Sequence, residues 1–144
     1  MSGGWNAQRM LELGRRHAEL EGRCDLDGTM ATLIVEPVYE FFPVGLRMRG
    51  VTHVRRYYEN LFGNFIGNTS HTLIAEWVSE SSVAQEYEIV WDPKGKPEAH
   101  RVIGILFRAE GSELLGGERI YASERCARLM LGDALCDELE PIGR

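Results

Sequence analysis

Lysine is almost missing from this sequence: Lys94 and Lys96 are its only examples, and arginine carries the rest of the positive charge. Acidic residues outnumber basic ones, 22 to 16, for a formal charge of −6, and the arginines are interleaved with Glu and Asp. No basic stripe is left to follow a phosphate backbone, which excludes nucleic acid as the main partner. Cysteine is also scarce. Cys24, Cys126 and Cys136 are odd in number and lack metal-ligand spacing, so a disulfide framework is excluded and reduced thiols in a cytoplasm are expected. No apolar run is long enough to cross a bilayer, and Arg9, Glu12, Arg15, Arg16, Glu19 and Glu21 stand where a signal peptide would hold its hydrophobic stretch. The expectation is a soluble, cytoplasmic protein with no membrane partner, in which Asn68-Thr69-Ser70 is a polar turn and not a glycosylation site. Internal repeats and low-complexity linkers are absent too. So are a His/Asp/Glu set with metal spacing, a phosphate-cradling glycine loop and a Gly-x-Ser-x-Gly elbow. A chain of 144 residues is then expected to form a single domain over residues 1–144, with any catalysis free of metal or organic cofactor.

What is present is a short helical part followed by a strand-rich part. Met10, Leu13, His17 and Leu20 recur at helical spacing and predict an amphipathic helix over residues 5–21. A second helix is expected over residues 26–33, entered through Asp25 or Asp27, with extended chain between the two prolines of "EPVYEFFPVG". After a loop "LRMRG", Thr52 can cap a helix to Leu61 whose inner face carries Val54, Tyr58 and Leu61. The segments "HTLIAEWVSE", "SVAQEYEIVWD", "EAHRVIGILFRAE" and "ELLGGERIYAS" are separated by turn signals, which makes an antiparallel meander the economical topology. A last helix starts at Ser123. Helices first and one long curved antiparallel sheet after them is an α+β pattern in which the helices cover one sheet face.

Period two sorts the strands into faces. One face carries Gln85, Tyr87, Ile89 and Trp91, then His100, Val102, Gly104 and Leu106, then Glu118, Ile120 and Ala122. The other carries Ile103, Ile105, Phe107, Arg119 and Tyr121 among others. Both sides of the third strand are apolar while one helix layer covers only one of them, so a homodimer through the outer face is expected. Gly104 sits mid-strand with no side chain, which marks a place where something approaches the backbone closely. Gly116-Gly117 reads as a bulge.

The run "GLRMRGVTHVRRYYENLF", preceded by "PVYEFFP" and followed by a meander ending "GERIYASE", resembles the SnoaL-like and ketosteroid-isomerase-like branch of the nuclear transport factor 2-like superfamily. The resemblance spans nearly the whole chain. It implies a cone: a curved antiparallel sheet wrapped around N-terminal helices, a cystatin-like α+β barrel enclosing a pocket for a small hydrophobic or aromatic ligand. It also implies positions for chemistry. Where ketosteroid isomerases carry a tyrosine on the first helix, an acid in the penultimate strand and an aspartate base at the first strand, this sequence has His17, Gly104 and Phe41. All three differ, so steroid isomerisation by that route is not expected.

His17 on an apolar helix face is either a proton shuttle or a hydrogen-bonded core residue. Glu118, inward on the last strand, is costly to bury unless paired or protonated, and fits either acid/base work or an internal ion pair. His100 shares the inward register and is its candidate partner. Tyr58 and Tyr87 can donate hydroxyl protons to a carbonyl or phenolate oxygen. Tyr39, Phe41 and Trp91 offer aromatic walls, and Ile89, Val102, Gly104 and Ile120 complete a substrate-binding set, all of which ordinary packing would also explain. The function these residues support is proton transfer on an aromatic or polycyclic carbonyl or hydroxyl compound: an isomerase, aldol-type cyclase or C–C lyase. The alternative is a non-catalytic small-ligand-binding or dimerisation module of the same fold.

Overall fold

A computed structural model describes residues 4–143. The first helix, α1 (Ala7–Gly22), begins where the Asn6 side chain accepts from the Arg9 amide, and its buried line is Met10, Gly14 and His17. Asp25 caps the next helix, α2 (Leu26–Ala31), in the same way. That helix ends two residues earlier than its apolar spacing suggests, because Leu33 already pairs with Leu115 as the start of β1 (Leu33–Phe42). Pro37 lies where the β1 register shifts, the position at which a strand tolerates a missing donor.

The "LRMR" run is not a loop. It forms β2 (Leu46–Arg49), antiparallel to β1, with Met48 buried and Arg47 reaching Glu40 and Glu140. Alternation of apolar and charged residues makes a strand of it, and the positive charge that suggests a loop is answered by carboxylates on neighbouring strands. The third helix, α3 (Gly50–Asn60), starts at Gly50 with a φ of 83°, which puts Thr52 inside the helix and not at its cap. Val54, Tyr57 and Tyr58 are its buried face, and a π-helical turn (Leu61–Phe65) and a short 3-10 turn (Ile66–Asn68) carry the chain to the sheet.

Strands β3 (Thr69–Val78), β4 (Ser82–Trp91), β5 (Glu98–Arg108) and β6 (Leu115–Tyr121) form the expected antiparallel meander. The sheet as a whole is mixed, however, since β6 pairs parallel with β1, matching Tyr39 to Glu118 and Phe41 to Ile120. An all-antiparallel sheet is thus corrected: the meander returns its last strand to the first one, and a return after four strands arrives parallel. The order is β3-β4-β5-β6-β1-β2-β7, a curved sheet that does not close into a barrel. Gly117, with a φ of 147°, brings the β6 backbone against Val38, where an added Cβ would lie 1.8 Å from the Val38 carbonyl oxygen. Ser123 caps α4 (Glu124–Leu131), followed by α5 (Asp133–Glu138) and the two-residue β7 (Glu140–Pro141), neither of which shows in the sequence pattern. Of the predicted inner face, Gln85, Val102, Gly104, Leu106, Glu118, Ile120 and Ala122 are buried, while Tyr87, Ile89, Trp91 and His100 are only half-buried.

Candidate functional site

Three helices, α1, α2 and α3, and two strands, β1 and β6, supply the residues around His17, which is fully buried. The ring is fixed from one side by α2. The Thr32 hydroxyl lies 2.7 Å from the Thr29 carbonyl oxygen, which can only accept, so its single proton goes there. The hydroxyl oxygen must then accept from His17, whose Nδ1–H donates to it over 2.7 Å. On the other side, Nε2 faces the Tyr58 hydroxyl at 3.0 Å and Glu21 Oε1 at 2.9 Å, with Glu118 Oε1 at 4.0 Å. A bare lone pair cannot face a carboxylate oxygen at that distance, so a proton lies between Nε2 and Glu21. Tyr39 extends the network, its hydroxyl 2.5 Å from that of Tyr58.

Glu118 is nine-tenths buried, and its Oε1 has no hydrogen-bond partner within the protein. Burial first, and the nearby charge of Glu21 second, push its carboxyl well above the usual carboxylate range. Glu118 therefore keeps a proton of its own, besides the one shared between His17 Nε2 and Glu21. Its other oxygen occupies the space Gly104 leaves open, since a Cβ on Gly104 would come 2.4 Å from Oε2. The missing side chain of Gly104 makes room for the acid of the neighbouring strand. Burial also raises the hydroxyls of Tyr39, Tyr57 and Tyr58 far above their ordinary values and pushes Tyr87 up to about 12, which keeps all four as proton donors.

A cavity of about 100 Å³ opens beside the cluster. Glu21 and Glu118 supply its acidic wall, Leu61, Phe65, Leu106 and Met130 part of its apolar one, and among the described residues neither Lys nor Arg lines it. The sequence-derived residues divide on this geometry. Tyr87, Ile89, Val102, Gly104, Glu118 and Ile120 line the cavity. His17 and Tyr58 lie behind its acidic wall, His17 in contact with both Glu21 and Tyr58, and neither lines the space itself. Tyr39 and Phe41 are in the core, packed on Tyr57. His100 stands apart, its Nε2 3.2 Å from Glu98, which Arg125 also binds. Trp91 lines a separate groove beside α4, with Arg125 over its ring.

Sequence reasoning missed Glu21 and Thr32. Glu21 is four residues after His17 on the same helix, so helical spacing alone would have joined them. Thr32 carries no such signal, because α2 has to fold back before its hydroxyl meets the ring. His71 also lines the cavity, its ring centroid 5.9 Å from that of Tyr87. Among the described residues, His17, Glu21 and Glu118 also have their ligand-capable atoms within 4.8 Å of one another, a set the linear spacing did not suggest. A shared proton accounts for the His17–Glu21 contact without an ion.

No protein-family model matches the sequence, and no curated protein sequence matches it. Solved structures do. A protein assigned as a SnoaL-like polyketide cyclase from Jannaschia sp. CCS1 superposes with a TM-score of 0.70 at 12% identity, over 92% of this chain and 98% of that one. One assigned as a ketosteroid isomerase from Kribbella flavida DSM 17836 gives 0.64 at 15%, over 82% and 80%. The epoxide hydrolase/cyclase-like enzyme SalBIII, of pyran ring formation in polyether salinomycin, gives 0.68 at 14%, over 82% and 93%.

Proposed function

Because this chain has the fold of the nuclear transport factor 2-like superfamily, shared by SnoaL-like and ketosteroid-isomerase-like structures, we propose that it moves protons on a small uncharged carbonyl or hydroxyl compound bound in the cavity. The observation that carries this reading is a pair of carboxyl groups, Glu21 and Glu118, on one wall of an apolar cavity with His17 between and behind them. Glu118 donates its proton to the substrate oxygen, and Glu21 removes one from a neighbouring C–H or O–H. His17 Nε2 then passes the proton it shares with Glu21 on to Glu118, and the proton that Glu21 took from the substrate replaces it, so the cycle closes with no net change in the protein. Tyr87 orients the oxygen from across the cavity. His17 and Tyr58 serve as the relay and its support, and the reacting groups are the two acids.

Several features narrow the substrate. Two acidic groups, with no Lys or Arg among the described lining residues, disfavour an anion. At roughly 10–15 Å³ per water-sized site, about 100 Å³ suits one ring better than a polycycle. Isomerisation, aldol-type cyclisation and its reverse all fit such an acid/base pair, and none calls for an organic cofactor. Three free thiols, two of them buried, support a cytoplasmic setting.

The test follows α-proton exchange of small cyclic ketones in D₂O by NMR. Saturable acceleration by the protein, reduced about 10²-fold in both Glu21→Gln and Glu118→Gln, is the expected result. Equal rates in those variants would overturn the assignment. Ligand binding without any exchange would favour the non-catalytic binding module.

A further inference from the structure

The Thr29–Thr32–His17 chain fixes which ring nitrogen carries the permanent proton, and we propose that Thr32 is a positioning residue that holds His17 in the Nδ1–H form so that Nε2 is left for the mobile proton. This deepens the relay role given to His17 above and rests on it for its functional meaning, but its geometry stands alone. Thr32 is buried and its hydroxyl proton is committed to the Thr29 carbonyl. Its amide also donates to that carbonyl at 3.1 Å, so Thr32 is tied to Thr29 through both backbone and side chain. Thr29 is itself tied down, its hydroxyl donating to the Asp25 carbonyl oxygen at 2.6 Å. The six-residue helix α2 is thus a rigid mount that presents one acceptor to one ring nitrogen.

The consequence is directional. A histidine with Nδ1–H engaged has one exchangeable position, Nε2, and that position faces Glu21, Glu118 and Tyr58. The opposite tautomer would aim an N–H at Glu21 permanently and leave the Nδ1 lone pair against the Thr32 oxygen, whose proton points elsewhere. Loss of the Thr32 acceptor removes what prevents that inversion, because Nε2–H then has the better partner.

The experiment is ring ¹⁵N and ¹³C NMR of His17 at about pH 9, where an ordinary imidazole is neutral. Wild type is expected to show the Nδ1–H form in excess. Thr32→Val should move the tautomer ratio toward Nε2–H by about tenfold, the scale set by one hydrogen bond of ordinary net strength. Thr32→Ser, which keeps the hydroxyl, should restore the wild-type ratio, a recovery that mere loss of packing would not produce. A wild-type ring in the Nε2–H form overturns the proposal without any variant. So does a ratio that Thr32→Val leaves unchanged. If Thr32→Val inverts the tautomer while proton exchange on ketones is untouched, the positioning stands and the relay role of His17 falls.

Discussion

Glu118 is the residue on which the chemistry and the stability of this protein pull in opposite directions. Its carboxyl is held well above the ordinary range by burial and by Glu21, so the folded state keeps a proton that the unfolded chain releases. Stability from this group is complete below the ordinary carboxylate value and is lost as pH rises toward the raised folded value. Glu118→Gln, neutral at every pH, should therefore gain on wild type as pH goes from about 5 to about 8, measured as the urea midpoint at each pH. A constant difference would mean that Glu118 is ionised and paired in the native state. Gly104 belongs to the same account. The sequence pointed to it as space for a ligand, and the space is filled by the Glu118 carboxyl group.

Among the elements, the junction of β1 and β6 decides where the acid stands. Parallel pairing sets Tyr39 opposite Glu118, and the close approach at Gly117 sets the register. Any side chain there meets the Val38 carbonyl and a backbone angle that L residues avoid. Gly117→Ala should cost about 3 kcal/mol by equilibrium denaturation, whereas a loss within experimental error would show that the bulge relaxes freely. The helix α1 is held to the other side of the sheet by Arg15, whose guanidinium binds Glu76, which in turn accepts from Gln85. Arg15 holds the Glu76 carboxyl below its usual range. The helix that carries His17 and Glu21 is thereby anchored to β3 and β4, which carry His71, Gln85 and Tyr87.

At the scale of the whole molecule the outer sheet face presents partly exposed apolar side chains. Ile103, Ile105 and Phe107 are only half-buried there, and Trp77 and Tyr121, paired into the same face, are 55% and 43% exposed. An apolar strip of this kind favours a second copy of the chain. Light scattering should give twice the 16.3 kDa chain mass for wild type and the single mass for a Trp77→Glu, Tyr121→Glu double variant. A wild-type monomer at micromolar concentration would end the dimer reading.

The sequence by itself determined the helix-then-strand order, the inner and outer faces of β4, β5 and β6, and the inward placement of His17 and Glu118. All of these follow from local periodicity, which a chain carries whatever its tertiary contacts. It also contained Glu21, one helical turn beyond His17, for a reading that asked what else shares that face. The tertiary structure alone decided that β6 runs parallel to β1, that "LRMR" is a strand, that His100 and Trp91 lie away from the cavity, and that Thr32 meets His17. Each of these depends on contacts between segments far apart or folded back on one another, where strand direction, register and hydroxyl orientation are set by packing and not by spacing.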